Sequence, residues 1–464
     1  MGVGSSNRQR DTPVPKTIVA DWKKSLQICG ADGKSQEIHA GRESETNGQL
    51  YACRGAGDSE IMKIYTCAVD PYKADAQFFT RDSGLMCLTL RALGHESKVV
   101  IPASPDHPKA ESDLVVRAAM AELTNPDWWK SLGIDAVAFV CEPFKKNTPM
   151  IRAVKRAGLK TCVIYDTKND GFPYFGVFGA IRCWWRKGLI SESLPRRIFG
   201  TMARSLVFGA KGLVSNYHAA VQSRVPDFSA YNTPNLMARA KRRERLFFWG
   251  APCSNMLVSG YPVFNVNASE PLPLAQRKEK VVAVARWNAV RHKRPHLLIK
   301  VVEGVLAQHP SISFEIYGIV PDYMARWHDN LPAPIKARIT LGGWQSIQTV
   351  SSAIRTSMIL YCPSASEGLP VPVGEALSSG CTVVGLNTEE VPGLFWALSE
   401  GDGTAARRDS VDAHIAAVIE ELGKWRKGQR DPDQLAKKWI PWFSAPEFCR
   451  HLIEVIERKA KAET

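Results

Sequence analysis

Two glutamates, Glu367 and Glu375, stand in the stretch "SASEGLPVPVGEALSSG", residues 364–380, with seven residues between them. A carboxylate accepts hydrogen bonds from sugar hydroxyls, and a second one nearby can hold a ribose diol. The stretch follows an apolar run. Pro370 and Pro372 suit a helix start, where a missing N–H is tolerated. Gly380 falls where a helix C′ residue belongs, and another apolar run begins directly after it. Glu367 is therefore expected in the loop after a strand's carboxyl end, and Glu375 in the first turn of the next helix. Ligands of open parallel sheets bind at that edge. The helix N-terminus there offers free N–H groups and positive potential to a phosphate. The plainer alternative is a Pro-rich turn in which Glu375 only complements the helix dipole.

A second pattern lies upstream. "AVARWNAVRHKRPHLLIK", residues 283–300, reads as a strand, a basic loop and a helix. Arg286 falls at the strand's carboxyl end and Lys293 near the start of the helix. An Arg fork and a Lys point charge at those places can clamp a diphosphate. A solvated basic loop is the alternative. "LGGWQS" puts Gly343 and Trp344 at another strand end, where the Trp is either core or on the loop. The one D-x-D, Asp431–Pro432–Asp433, is far from any such loop, and the histidines show no ligand spacing, so no metal is expected.

Two series of short apolar strands must carry these loops. The first is 62–67, 97–101, 136–140, 161–165 and 211–215, with helices over 85–93 and 148–157. The second is 280–285, 312–317, 338–342, 357–362 and 381–385, with helices over 294–307, 346–355 and 373–379. Strands that are apolar almost throughout and alternate with helices argue parallel sheets covered on both faces. Residues 260–278, rich in Pro and Asn, read as the linker between two doubly wound α/β domains. An amphipathic helix over 445–461 ends the chain. Residues 1–60 are polar, show neither period and read as a disordered extension.

With 464 residues, 45 % hydrophobic and 23 % charged, the composition is that of a globular enzyme. No apolar run approaches a bilayer span, and the N-terminus lacks a signal-peptide core. Eleven scattered cysteines without a C-x-x-C pair fit free thiols in a cytoplasmic setting.

Together, "PSASEGLPVPVGEALSSGCTVVG" and "ARWNAVRHKRP" resemble the retaining GT-B glycosyltransferases of family four (group 1). The resemblance spans about 60–460 and is strongest over 280–395. It implies two doubly wound Rossmann-like domains facing a central cleft, with the C-terminal helix returning to the N-terminal domain. The expected divisions are an extension 1–60, an acceptor-side domain 61–262, a nucleotide-sugar domain 263–440 and a crossing helix 441–464. It implies that Glu367 touches donor-sugar hydroxyls, that Gly368 and Leu369 support sugar and phosphates through backbone N–H groups, and that Glu375 binds the ribose. Arg286 and Lys293 would stabilise the diphosphate leaving group. The Arg-to-Lys separation exceeds the common family pattern, so Arg291 and Arg294 stand as alternatives to a displaced Lys293. "FFTRDSGLMCLTLRALGHE" would place Gly84 on a loop facing diphosphate or acceptor, and His95 in a structural turn. The family's acceptor-side histidine has no counterpart; Glu142 and Asp166 occupy comparable strand ends. The implied activity is transfer of a sugar from a UDP or GDP sugar to a saccharide or lipid-linked acceptor, without metal or other cofactor, in cell-surface glycan synthesis.

The net charge of +14 is concentrated: residues 177–250 hold thirteen basic against three acidic residues. "VFGAIRCWWRKGLI", 177–190, mixes Trp184 and Trp185 with Arg182, Arg186 and Lys187, a composition suited to an anionic membrane surface. The expected location is cytoplasmic, peripheral at the inner face of the membrane. Two rival classes are another GT-B enzyme such as a nucleotide-sugar epimerase, and a nucleic-acid binder. The second rests on charge alone, since no nucleic-acid module is present.

Overall fold

The near-continuous apolar runs form strands buried along their length, because helices cover both faces of each sheet. The computed structural model describes residues 61–165, 181, 184–185, 193–250, 252–263 and 271–463, with backbone only for 206, 208–213 and 459–463. The extension 1–60, residues 264–270 of the expected linker, Asp166 and most of 177–190 lie outside the described residues.

The first sheet contains β1 (Ile64–Ala68), β2 (Val99–Pro102), β3 (Ala110–Glu111), β4 (Val115–Ala118), β5 (Ala136–Cys141), β6 (Lys160–Tyr165), β7 (Phe228–Tyr231) and β8 (Met256–Val258). Their order is β3-β4-β2-β1-β5-β6-β7-β8, parallel except for β3. The second contains β9 (Lys278–Val284), β10 (Ser313–Tyr317), β11 (Ile339–Gly343), β12 (Ser357–Cys362), β13 (Thr382–Leu386) and β14 (Gly403–Ala406). Their order is β11-β10-β9-β12-β13-β14, all parallel. In both sheets the chain moves outward on one side and then returns to build the other. The reversal falls between β1 and β5 in the first sheet and between β9 and β12 in the second. At such a reversal neighbouring loops diverge and leave a crevice at the carboxyl edge.

The helices that matter for the site are α1 (Asp82–Ala92), α2 (Thr148–Arg156), α3 (Leu194–Ser223), α4 (Pro234–Phe248), α5 (Val290–Lys293), α6 (Pro295–Gln308), α7 (Ile347–Arg355), α8 (Val371–Ser378), α9 (Pro392–Ser399), α10 (Val411–Arg426), α11 (Pro432–Phe443) and α12 (Ala445–Glu463). The C-terminal helix does return to the N-terminal domain. Phe448, Cys449 and Leu452 of α12 share one apolar core with Met86 and Leu90 of α1 and with α8 and α11 of the second domain. The crossing is close. A Cβ on Gly260, which has φ +68, would lie 1.9 Å from the Trp442 carbonyl, so only glycine fits. Beside it Tyr261 N and Val263 N donate to Trp442 O and Phe443 O, each at 2.9 Å.

One expected strand is wrong. Residues 211–215 lie inside the 30-residue helix α3. A short apolar run there fits either period, and its helical neighbours on both sides decide. The strand at that place in the sheet is β7, whose "FSAY" carries the polar Ser229. That hydroxyl is satisfied by Ser223 O at 2.7 Å, which permits its burial.

Candidate active site

The second sheet's switch point is built from two loops. After β9 the chain turns through Arg286 and Trp287. The Trp is fully buried; its Nε1 donates to Tyr317 O at 2.9 Å and its backbone N to Ile319 O at 3.0 Å. That anchor leaves Arg286 exposed on the loop. The extra length before Lys293 is taken up by the single turn α5; Arg294, directly after it, holds a left-handed φ of +53 and leads into α6. Lys293 is half-buried, and its ammonium pairs with the Glu367 carboxylate. Of the alternatives, Arg294 is turned into the domain and donates to Asp409 at 2.6 Å, while Arg291 is exposed.

Glu367 sits where the sequence places it, in the loop after β12, and the loop is held from both sides. Ala365 N donates to His292 O of α5 at 2.8 Å, and Glu367 N donates to Glu390 O, beyond β13, at 2.9 Å. Gly368 is half-buried and Leu369 is buried, packed so closely on α9 that a Cβ at Gly393 would lie 2.1 Å from its Cδ1.

Glu375 departs from its expected place. Helix α8 begins at Val371, so Glu375 lies in its second turn and is buried. Burial, which penalises the charged form, pushes its carboxyl up to about 8. At neutral pH the protonated form is favoured, so the carboxyl can donate as well as accept. Gly343 ends β11 with φ +64, its carbonyl accepting from Gly318 N at 2.8 Å. Trp344 beside it is 62 % exposed, so it is not a core residue.

The first sheet's switch point holds a cavity of about 190 Å³, lined by Asp70, Tyr72, Arg81, Asp82, Glu142 and Lys146 among others. Lys146 Nζ donates to Asp70 at 2.7 Å across the two strand ends. Asp82 opens α1 with φ +52, a conformation that costs of order 1–3 kcal/mol for a non-glycine residue. Its carboxylate accepts from the Tyr261 hydroxyl. Sequence reasoning missed Asp82 and Tyr261. Asp tolerates the left-handed region better than most residues, but their pairing spans 179 positions and leaves no local pattern. Gly84, expected on the loop, is inside α1 and buried. A Cβ there would lie 2.5 Å from Phe78 O, so its part is to let the preceding turn pack on the helix. His95 is structural: buried, with its Nδ1 accepting from Met62 N at 3.3 Å. A smaller void of about 10 Å³ between β6, β7 and α12 has an apolar surface and reads as a packing gap.

Among the described residues no cluster of three or more His, Cys, Asp or Glu could hold a metal ion. Asp431 of the D-x-D caps α11, its carboxylate accepting from Asp433 N and Gln434 N at 2.9 and 3.2 Å. Trp184 is buried under Arg204, whose guanidinium lies 5.4 Å from the ring centroid, so it is not a surface anchor. No described helix is long and apolar enough to cross a membrane.

Residues 278–423 match the family model described as "Glycosyl transferases group 1". No curated protein matches the chain. Among solved structures, the apo form of the lipopolysaccharide outer core galactosyltransferase WaaB is 15 % identical over 86 % of this chain and all of that one, with a TM-score of 0.54. Anabaena Alr3699/HepE, solved with UDP and glucose, is 12 % identical over 86 % of this chain and all of that one, with a TM-score of 0.52. The S. aureus TarM G117R mutant is 14 % identical over 72 % of this chain; the present chain spans 56 % of its length, and the TM-score is 0.46. The first two share the two-sheet architecture, and the fold is GT-B.

Proposed function

We propose that the protein transfers a sugar from a nucleotide-sugar donor to a saccharide or lipid-linked acceptor, with retention at the anomeric carbon and without a metal ion. The observation that carries this reading is the Lys293–Glu367 pair at the second sheet's switch point, with Arg286 on the adjoining loop. The group 1 match over the same residues supports it.

In this reading the donor diphosphate lies across Arg286 and Lys293. Its charge grows as the glycosidic bond breaks, and the two cations meet that charge without a metal. Donor binding draws Lys293 toward phosphate, and Glu367 exchanges its ammonium partner for sugar hydroxyls. Backbone N–H groups of Gly368 and Leu369 support the sugar, and Gly343 and Trp344 flank the base. Glu375, neutral and buried, receives the ribose hydroxyls. The acceptor enters from the first sheet's cavity, with its hydroxyl toward the same face of the sugar that the phosphate leaves. The departing phosphate takes the proton, so no strong base is required of Glu142 or Asp82. A uridine nucleotide is the first donor to test, since the Anabaena neighbour was solved with UDP.

A peripheral position at the inner face of the membrane, in cell-surface glycan synthesis, completes the proposal. Leu194, Phe199 and Met202 on α3 and Leu246 and Trp249 at the end of α4 are exposed, Trp249 at 93 %. Exposed Arg196 lies beside Phe199 near the start of α3, and exposed Arg242 and Arg245 lie beside Leu246 near the end of α4, two mixtures that suit anionic lipid headgroups.

The test is incubation with UDP and GDP sugars and a panel of saccharide and lipid-linked acceptors, with products read by mass spectrometry and the anomeric proton by NMR. An α-linked product from an α-linked donor is expected. A product of inverted configuration contradicts retention. Epimerised or unchanged nucleotide sugar with every acceptor contradicts transfer.

A further inference from the structure

The domains also meet away from α12, at Arg239. This residue lies on α4 of the first domain and is 5 % exposed. Its Nη2 donates to the main-chain carbonyl of Glu389, at 3.0 Å, and to the Glu389 carboxylate. Glu389 belongs to the second domain, in the loop between β13 and α9. A guanidinium that grips both the backbone and the side chain of one residue fixes the position of the chain as well as its charge.

That loop leads directly to the candidate site. Glu390, the next residue, is buried and gives its carbonyl to the Glu367 N–H at 2.9 Å. The loop is stiff: Val391 N donates to Thr388 O at 3.0 Å, and Glu390 N to Thr388 Oγ1 at 3.4 Å. Helix α9, which follows at once, packs through Gly393 on Leu369. A shift of 388–390 is therefore carried to Glu367 by a hydrogen bond and to Leu369 by contact.

We propose that Arg239 is a positioning residue that sets Glu367 only while the two domains are closed. When the domains part, the buried guanidinium loses its carboxylate, the 388–390 loop is released, and the Glu367 backbone loses its tether. Closure restores all three. The first domain thus reports its arrival to the donor-sugar glutamate through a residue that touches neither donor nor acceptor. The inference rests on the transfer reading above.

The experiment compares wild type with Glu389→Ala, a half-exposed position that tolerates truncation, and with Arg239→Lys, which keeps the charge but not the double grip. Three quantities are measured: amide exchange over 364–370, calorimetric affinity for UDP and GDP, and steady-state transfer. Both variants are expected to speed exchange of the Glu367 amide by about tenfold, a typical coupling between sites. Nucleoside diphosphate affinity stays within about twofold, since coupling acts on the sugar glutamate and not on the phosphate clamp. The loss falls on kcat, with the donor KM little changed, and Glu389→Gln recovers part of it because an amide oxygen still accepts. A role limited to holding the domains together would lower thermal stability without a selective change at 364–370. Unchanged exchange at Glu367 in Glu389→Ala overturns the proposal, whether or not Arg239→Lys folds. If the wild type transfers no sugar, the transfer reading fails by itself, and the exchange measurement still decides the role of Arg239.

Discussion

The carboxyl edges of the two sheets share a topology and differ in how they are furnished. At the second sheet's switch point two opposite charges, Lys293 and Glu367, are already in contact, on loops pinned by hydrogen bonds from α5 and from Glu390. At the first sheet's switch point five charged groups surround an open cavity, and one of them, Asp82, holds a strained backbone. A diphosphate always presents the same charge and shape, so a short preorganised site can meet it. An acceptor needs room and several polar groups of either sign. On this contrast we propose the donor at the second edge and the acceptor at the first.

The largest expected effect comes from Lys293→Ala. Removing a donor that meets developing charge costs about 10²–10³ in transfer rate, read in single-turnover assays. The same assay on Glu142→Ala should keep most of that rate at saturating acceptor. If the two variants lose rate equally at saturation, the edges do not divide the work.

Next come the two glutamates. Glu375→Ala should weaken bare nucleoside diphosphate about ten- to a hundredfold by calorimetry, because a ribose contact does not depend on the sugar. Glu367→Ala should leave that affinity unchanged and reduce transfer and discrimination between sugars. The reverse pattern would exchange the roles assigned to them.

The outer face of the first domain sharpens the comparison in another way. Replacing Arg242 and Arg245 with Ser should reduce sedimentation with anionic vesicles about thirtyfold at low salt, from about 1 kcal/mol for each charge. Nucleotide affinity should not change. Wild-type protein that ignores such vesicles removes the membrane from the account.

A smaller effect belongs to the acceptor edge: Glu142→Ala should raise the acceptor KM about tenfold, the loss of one hydrogen bond to a charged group. An unchanged acceptor KM would move the acceptor elsewhere.

The smallest is a stability effect. Glu375 binds its proton up to about pH 8 when folded, against an ordinary 4.5. The folded chain therefore holds a proton that the unfolded chain has released, and stability from the neutral form is full below 4.5 and falls as pH rises toward 8. Glu375→Gln, neutral at every pH, should match wild type near pH 4.5 and exceed it at pH 8.5 by a few degrees in Tm. A Tm difference independent of pH would contradict the buried neutral carboxyl.

The division between edges also marks what could be read from the sequence. In the second domain each expected strand lies within two residues of its observed place, because apolar runs buried on both faces end at clear turns. Glu367 and Arg286 fall on the expected loops for the same reason. Lys293 could not be placed by counting, since one turn of helix shortens the path to it. In the first domain 211–215 misled because a short apolar run inside a long helix fits both periods. Asp82, Tyr261, Arg239 and Glu389 were invisible because their partners lie 150 or more positions away. Glu375 was assigned the correct helix but not its burial.

The most direct test of the division is amide exchange with and without saturating nucleoside diphosphate, followed by mass spectrometry. Protection is expected over 285–294 and 364–376, with 68–83 and 140–147 unchanged. Protection confined to 68–83 and 140–147, or absent from 285–294, would contradict the assignment of the donor to the second sheet.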